Sequence, residues 1–174
     1  MNEYLVTYIS KEYLRRQGWD IIAYNPPGSQ GTFTIPNPSK QAGYRGQTGS
    51  LSPDIVAVKI VNDQNHFVIV EAKPAYNQKD IDKMLSMFHN PERLDLFFKI
   101  VGDQSAANKI SLSDDTKNHL HFFKAHSGQP VSLEDVGTIF IEQVDNLWDP
   151  ENFSPEDDIY SKFKVTLYGQ LPEN

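Results

Sequence analysis

The pattern of apolar and polar positions predicts a helix, a short strand and a long loop at the start of the chain. Apolar residues recur at helical spacing over residues 3–17, and Gly18 follows as a stop signal. The segment WDIIAY (19–24) predicts a strand, because the turn-forming Asn25-Pro26-Pro27 comes directly after it. Residues 25–52 are rich in Gly, Pro and Ser, which predicts one long loop, either functional or disordered.

Two apolar runs that follow this loop predict a hairpin. DIVAVKIV (54–61) and HFVIVEAK (66–73) are rich in β-branched residues, and their nearly continuous apolar character predicts strands inside a sheet. Four polar residues separate them, so we expect an antiparallel pair. Pairing that is symmetric about this turn sets Asp54 opposite Lys73 and brings Glu71 to the same end of the hairpin.

The rest of the chain predicts further helices and strands. Helices are expected at 77–94, from the start of 113–120 and over 132–148, and strands at 95–102 and 163–169. The segment HFFKAH (121–126) suits either a helix or a strand. In 132–148 the helical spacing favours a helix, although TIFI alone would suit a strand. This order of elements predicts a single α/β domain over 1–174, with a mixed sheet and helices packed on it.

Charge and composition narrow the possible partners and compartments. The net charge is −7, but residues 1–131 hold 14 Lys and Arg against 13 Asp and Glu, whereas residues 132–174 hold 2 against 10. A nucleic-acid surface is therefore expected in the first part and not in the acidic C-terminal part. The chain has no cysteine, no long apolar run and no signal-peptide pattern, so we expect a cytoplasmic protein without a membrane span.

The end of the predicted hairpin carries the most informative side chains. Two carboxylates a few ångströms apart repel each other, and both stay ionised only when a cation lies between them. Oxygen ligands at a solvent-accessible site suit Mg²⁺ or Mn²⁺, which polarise a phosphoryl oxygen and activate water. A neighbouring lysine can stabilise charge that grows on a phosphate. Asp54, Glu71 and Lys73 therefore predict phosphodiester hydrolysis, and the alternative is a salt bridge of small energetic worth.

Pro53-Asp54 followed by Glu71-Ala72-Lys73, each on its own apolar strand, resembles the PD-(D/E)XK nuclease superfamily. The resemblance covers residues 3–102 as a core and implies a restriction-endonuclease-like fold. It also implies that Asp54, Glu71 and the Ala72 carbonyl bind Mg²⁺ or Mn²⁺, and that Lys73 is catalytic. The implied activity is metal-dependent cleavage of DNA, in restriction or repair, with a homodimer or a partner subunit for double-strand cleavage.

The same resemblance implies a glutamate of the first helix that faces the site. Glu12 lies on the apolar stripe of that helix and Glu3 lies on the opposite face, so Glu12 is the expected residue. The alternative is a glutamate that pairs with Arg16, four residues on.

Several other residues are candidates for contact with nucleic acid or metal. Lys40, Tyr44 and Arg45 in the long loop could grip a backbone or stack on a base, and Gln78 and Lys79 open the helix after the site. His119 and His121 could share a strand face as metal ligands, although surface histidines are the simpler interpretation and no third ligand is evident. The second functional hypothesis is a catalytically silent nuclease-like fold that binds nucleic acid or a protein partner.

Overall fold

A computed structural model describes residues 1–29, 31, 33–38, 49–75, 77–115, 117–128, 136–144 and 158–172. Its helices and strands, in chain order, are α1 Glu3–Arg16, β1 Asp20–Tyr24, β2 Ile55–Val61, β3 Gln64–Ala72, α2 Gln78–Phe88, α3 Pro91–Ala107, β4 Asn118–His126, β5 Gly137–Gln143, α4 Ile159–Lys162 and β6 Phe163–Tyr168. None of the described helices is long and apolar enough to cross a membrane.

The six strands form one mixed sheet in the order β1-β2-β3-β4-β5-β6. The pairs β1/β2, β2/β3 and β5/β6 are antiparallel, whereas β4 is parallel to both β3 and β5. The helices α2 and α3 fill the connection between the parallel strands β3 and β4, as parallel pairing requires. The expected α/β class with a mixed sheet is confirmed.

Alternating side chains of the central hairpin belong to two separate cores. One core packs α1 on the first face of the sheet through Leu5, Ile9, Ala57, Val68 and Val70. The other packs α2 and α3 on the opposite face through Val56, Val58, Ile69, Ile81 and Phe97. Both faces of β2 and β3 are therefore covered, which explains why their sequences are apolar at nearly every position.

The hairpin forms as predicted, but its turn is shorter than expected. Asn62 and Asp63 both have positive φ, of 50° and 63°, which is the geometry of a two-residue hairpin turn. Val61 therefore pairs with Gln64, and Ile55 pairs with Val70. This register shifts the expected pairing by two residues, so its continuation sets Asp54 opposite Glu71 and not opposite Lys73.

The predictions of one helix over 77–94 and a strand over 95–102 are both wrong, because a second helix begins at Pro91. The expected strand 95–102 lies inside α3, where Asn90 caps the N-terminus and Pro91 is the first helical residue. Pro91 thus begins a second helix after α2 ends at Phe88, and 77–94 is not one continuous helix. Burial of Phe97, Val101 and Ser105 at intervals of four residues fits the helix.

The predicted helices at 113–120 and 132–148 are also wrong where the structure describes them. Residues 118–126 form β4, which settles HFFKAH as strand, and residues 137–143 form β5. Ser113 caps a local turn and accepts a hydrogen bond from the Asn65 side chain, so its N-cap signal does not start a helix. Gly137 opens β5 against the ring of Phe123, and the β-branched TIFI segment follows as a buried strand.

Gly137→Ala is expected to lower the free energy of unfolding by about 1–3 kcal/mol, because a Cβ at this position would overlap the buried ring of Phe123. Urea denaturation of the variant and the wild type measures the change. Gly102→Ala is the matched control, since a Cβ there meets no atom within 4 Å and Gly102 lies inside α3. That control should gain up to about 1 kcal/mol. Equal stability of Gly137→Ala and wild type would contradict the packing at Phe123.

Candidate active site at the open end of the hairpin

Asp54 and Glu71 meet where β2 begins and β3 ends. The backbone N–H of Asp54 donates to the Val70 carbonyl at 3.1 Å, which extends the ladder by one bond beyond β2. Asp54 Oδ2 accepts a hydrogen bond of 2.7 Å from the Ala72 N–H. This bond fixes the rotamer of Asp54 and sets its carboxylate against the last residues of β3. Asp54 is buried, with 8% of its surface exposed.

Lys73 lies between two glutamates from different elements. Its Nζ donates to Glu3 Oε1 at 2.8 Å and lies 3.4 Å from Glu71 Oε1. Glu71 and Lys73 are two residues apart, and the side chains of such residues leave an extended chain on the same side. Glu3 opens α1, so this ion pair joins the start of α1 to the end of β3.

Burial and neighbouring negative charges make the two carboxyl groups weak acids. Burial raises the pKa of Asp54 to about 6, against the opposing effects of the Ala72 N–H and the Lys73 charge. Burial, followed by the negative charge of Asp54, raises the pKa of Glu71 to about 7. Burial alone would lower the pKa of Lys73, but the hydrogen bond to Glu3 and the charges of Asp54 and Glu71 outweigh it and raise that pKa. Lys73 is therefore a permanent cation beside two acids that ionise reluctantly.

Glu3, and not Glu12, contacts Lys73. The partly buried Glu12 pairs instead with Lys11 at 3.0 Å and with Arg15 at 3.4 Å. Glu12 lies nine positions after Glu3, which is about 14 Å along the helix axis. The site lies beside the start of α1, so Glu12 is too far along the helix to reach it. Sequence periodicity predicts the face of a helix on which a residue lies but not its distance from the site. The alternative for Glu12, an ion pair within α1, is observed with Lys11 and Arg15 as its partners.

Side chains from α2 and β4 complete the walls of the site. Asp80 in the first turn of α2 lines two small cavities that also contain Glu71, and Lys83 lies on the rim of one of them. Lys124 of β4 is the register partner of Glu71, and the buried His126 follows two residues later. The sequence pattern does not identify Asp80, Lys124 or His126 as residues of this site, and it favours Glu12 over Glu3. Lys124 and His126 could have been found if HFFKAH had been taken as a strand. Its pairing with β3 is a long-range contact, however, which the local sequence pattern does not reveal.

The structure describes two of the five residues expected to contact nucleic acid, Gln78 and Lys79. Gln78 and Lys79 are exposed in the first turn of α2, close in sequence to Asp80, and the Gln78 amide donates to Asp82 at 2.7 Å. Lys40, Tyr44 and Arg45 lie outside the described residues. A separate cavity of about 280 Å³ reaches Asp54 from the side of the long loop, between Asn25, Ser29, Thr34 and Ser52.

The residues at the hairpin end fit a small oxygen-ligated cation. Asp54 is a buried carboxylate and Glu71 a partly buried one. A cation would relieve the repulsion between their negative charges, and this conflict is the observation that a metal would explain. The Ala72 N–H points to Asp54 while the Lys73 N–H points to β4, so the Ala72 carbonyl faces the Asp54 side as well. Within the described parts of the chain, no group of three or more His, Asp or Glu side chains is arranged to hold a metal ion. A cation here would therefore have two carboxylates, one carbonyl and water as ligands.

Comparison with known proteins gives no match: no protein family, no curated protein and no solved structure is significantly similar to this chain.

The raised pKa values of Asp54 and Glu71 predict that Glu71→Gln becomes more stable than wild type as the pH rises. An acid whose pKa is higher in the folded state holds a proton that the unfolded chain has released, so its contribution to stability is lost as the pH rises through the folded value. For Glu71 the loss occurs between its ordinary pKa of 4.5 and about 7. We expect a relative gain of roughly 2 kcal/mol for the variant from about pH 5 to about pH 8.

Urea denaturation in the presence of EDTA measures this effect without bound metal. Glu92→Gln, on the exposed first turn of α3, is the matched control and should follow the wild type at each pH. A constant difference between Glu71→Gln and wild type over this range would contradict a buried, reluctantly ionised Glu71.

Proposed function

We propose that the protein is a metal-dependent nuclease of the PD-(D/E)XK type, with a restriction-endonuclease-like core, which hydrolyses phosphodiester bonds in DNA. The observation that supports this most strongly is the convergence of Asp54, Glu71 and Lys73 at one hairpin end, fixed by the bond from the Ala72 N–H to Asp54. A sheet covered by helices on both faces, with α1 before the hairpin and α2 after it, agrees with the same type of core.

Each side chain of the site has a separate task in this reaction. Asp54, Glu71 and the Ala72 carbonyl would hold Mg²⁺ or Mn²⁺, which, when bound, polarises the phosphate and lowers the pKa of water. Lys73, held as a cation, supplies positive charge next to the phosphate as negative charge develops on it. Glu3 holds Nζ of Lys73 in place through the 2.8 Å ion pair.

We expect DNA to approach the side of the protein where α2 flanks the site. The acid pair lies at the ends of two interior strands, and Lys79 and Lys83 are exposed on α2, whose Asp80 lines the site. Backbone phosphates are contacted mainly by such lysines and by polar groups. One site of this kind cuts one strand, so cleavage of both strands in restriction or repair requires a homodimer or a partner subunit.

Purified protein is expected to nick plasmid DNA in the presence of Mg²⁺ or Mn²⁺ and to lose this activity with EDTA. Asp54→Ala, Glu71→Ala and Lys73→Ala should each lower the cleavage rate by at least about 100-fold, because each removes a charge that acts at the transition state. Asp103→Ala and Lys99→Ala, both exposed on α3, are the matched controls and should cleave at the wild-type rate.

Two results would contradict the nuclease. One is an absence of cleavage by the wild type on double-stranded and single-stranded DNA with either metal. The other is equal cleavage by wild type and Asp54→Ala, which would assign the activity to a contaminant. DNA binding that survives in Asp54→Ala without any cleavage by wild type would instead favour the catalytically silent module.

Glu3→Gln is expected to lower the cleavage rate by about 10-fold or more, since partners that orient a catalytic group typically contribute 10–100-fold. Glu12→Gln removes ion pairs with Lys11 and Arg15, about 14 Å further along α1 than Glu3, and should cleave at close to the wild-type rate. The comparison of these two variants at matched protein stability tests which glutamate serves the site. A larger loss in Glu12→Gln than in Glu3→Gln would contradict the position of α1.

A further inference from the structure

Asn25, the residue that follows β1, is buried next to Asp54 and donates three hydrogen bonds. Its backbone N–H donates to the Asp54 carbonyl at 2.8 Å. Its side-chain nitrogen Nδ2 donates to the Pro53 carbonyl at 2.9 Å and to the Phe33 carbonyl at 3.2 Å. A carboxamide nitrogen carries two N–H donors, so both are used. The side chain of Asn25 is therefore fixed in place at the acid site.

The dipeptide Pro53-Asp54 depends on such an anchor because it precedes the first residue of β2, Ile55. Pro53 has no backbone N–H with which to join a ladder. The Asp54 N–H donates to the Val70 carbonyl of β3, which holds the dipeptide on one side only. The bonds from Asn25 hold it from the other side, so the Asp54 backbone is fixed between the ends of β1 and β3. This determines the direction in which the Asp54 carboxylate leaves the chain.

The bond to Phe33 connects Asn25 to the core. Phe33 is fully buried, and its ring centroid lies 5.6 Å from that of Phe97 in α3. Two residues further on, Ile35 and Leu51 exchange backbone hydrogen bonds of 2.8 and 3.0 Å. The amide of Asn25 thus joins a segment that is packed in the core to the residue before Asp54.

We propose that Asn25 is a positioning residue of the acid site, which holds the Asp54 backbone so that the Asp54 carboxylate stays against the Ala72 N–H. From this position the carboxylate would bind the metal. Mg²⁺ demands near-ideal geometry of its oxygen ligands, so a displaced Asp54 would bind it more weakly. Asn25 acts through Asp54 and does not itself bind the metal. The role toward a metal rests on the proposed function, whereas the hold on the bond between Asp54 and Ala72 does not depend on it.

Hydrogen exchange of the Ala72 N–H, followed by NMR in the presence of EDTA, tests the hold on Asp54 without a metal. The matched control is Asn65→Ala at the turn end of the hairpin. Asn65 is also a buried asparagine, and its Nδ2 donates to the Ser113 carbonyl at 3.0 Å and to the Asn118 side chain at 3.2 Å. Both variants therefore lose buried hydrogen bonds of the same kind, but only one of them lies at the acid site.

The Ala72 N–H should exchange at least about 10-fold faster in Asn25→Ala than in Asn65→Ala, since a hydrogen bond to a charged group contributes that factor or more. The two variants are compared at urea concentrations that equalise their free energies of unfolding, so a general loss of stability does not produce the difference.

Calorimetric titration with Mn²⁺ tests the role toward a metal. Asn25→Ala should bind Mn²⁺ at least about 10-fold more weakly than wild type, because outer-shell partners typically contribute 10–100-fold to metal affinity. Asn65→Ala should bind as wild type. If the wild type binds no Mn²⁺, the proposed function fails, and the exchange of the Ala72 N–H still decides whether Asn25 positions Asp54.

Two results would overturn the positioning role: equal exchange of the Ala72 N–H in Asn25→Ala and Asn65→Ala, or equal Mn²⁺ affinity of Asn25→Ala and a wild type that binds the ion. If Asn25→Ala does not fold, the wild type decides by NMR. Its Asn25 side-chain amide protons should exchange slowly and show scalar coupling across the hydrogen bonds to Pro53 and Phe33. Amide protons that exchange freely with water would also overturn the proposal.

Discussion

The register of the β2–β3 hairpin determines which side chains meet at either end of it. The two-residue turn at Asn62-Asp63 pairs Val61 with Gln64, and every later pair follows from this one. A slip by one residue would turn the side chains of one strand to the other face of the sheet and separate Asp54 from Glu71. Because both faces of the hairpin are buried under helices, such a slip would also move polar side chains into the cores. The turn and the two cores thus specify the same alignment.

This alignment places two acids where their charge is poorly solvated. The apolar strands that make the hairpin rigid also exclude water from Asp54 and Glu71, so burial is the largest cause of the raised pKa values of both groups. The Ala72 N–H and Lys73 offset part of this cost, but Lys73 is shared with Glu3. Positive and negative charges near the site therefore do not balance when both acids are ionised. Groups with strongly shifted pKa values cluster at functional sites, which is why this end of the hairpin is the candidate active site.

The parts of the fold that the sequence predicts well are those with local causes. Helix α1, the hairpin and β6 follow from local periodicity, turn residues and β-branched composition. The predictions for residues 95–102 and 137–143 are wrong because the sequence of each segment suits both a helix and a strand. Contacts with residues far away in the chain decide which of the two forms. Phe97 and Val101 fit one face of a helix, although DLFFKIVG has the composition of a buried strand. Strand β5 depends on pairing with β4 and β6, and Gly137 is required by the ring of Phe123.

The positions of Asp54, Glu71 and Lys73 are predictable because they too depend on local structure. Asp54, Glu71 and Lys73 lie in one hairpin, so a local turn is enough to bring them together, and even an error of two residues in the register leaves them at one end. The contributions of Glu3, Asp80 and Lys124 come from three other elements. Periodicity assigns a residue to a face of a helix but gives no position along the sheet, which is why it favoured Glu12 over Glu3.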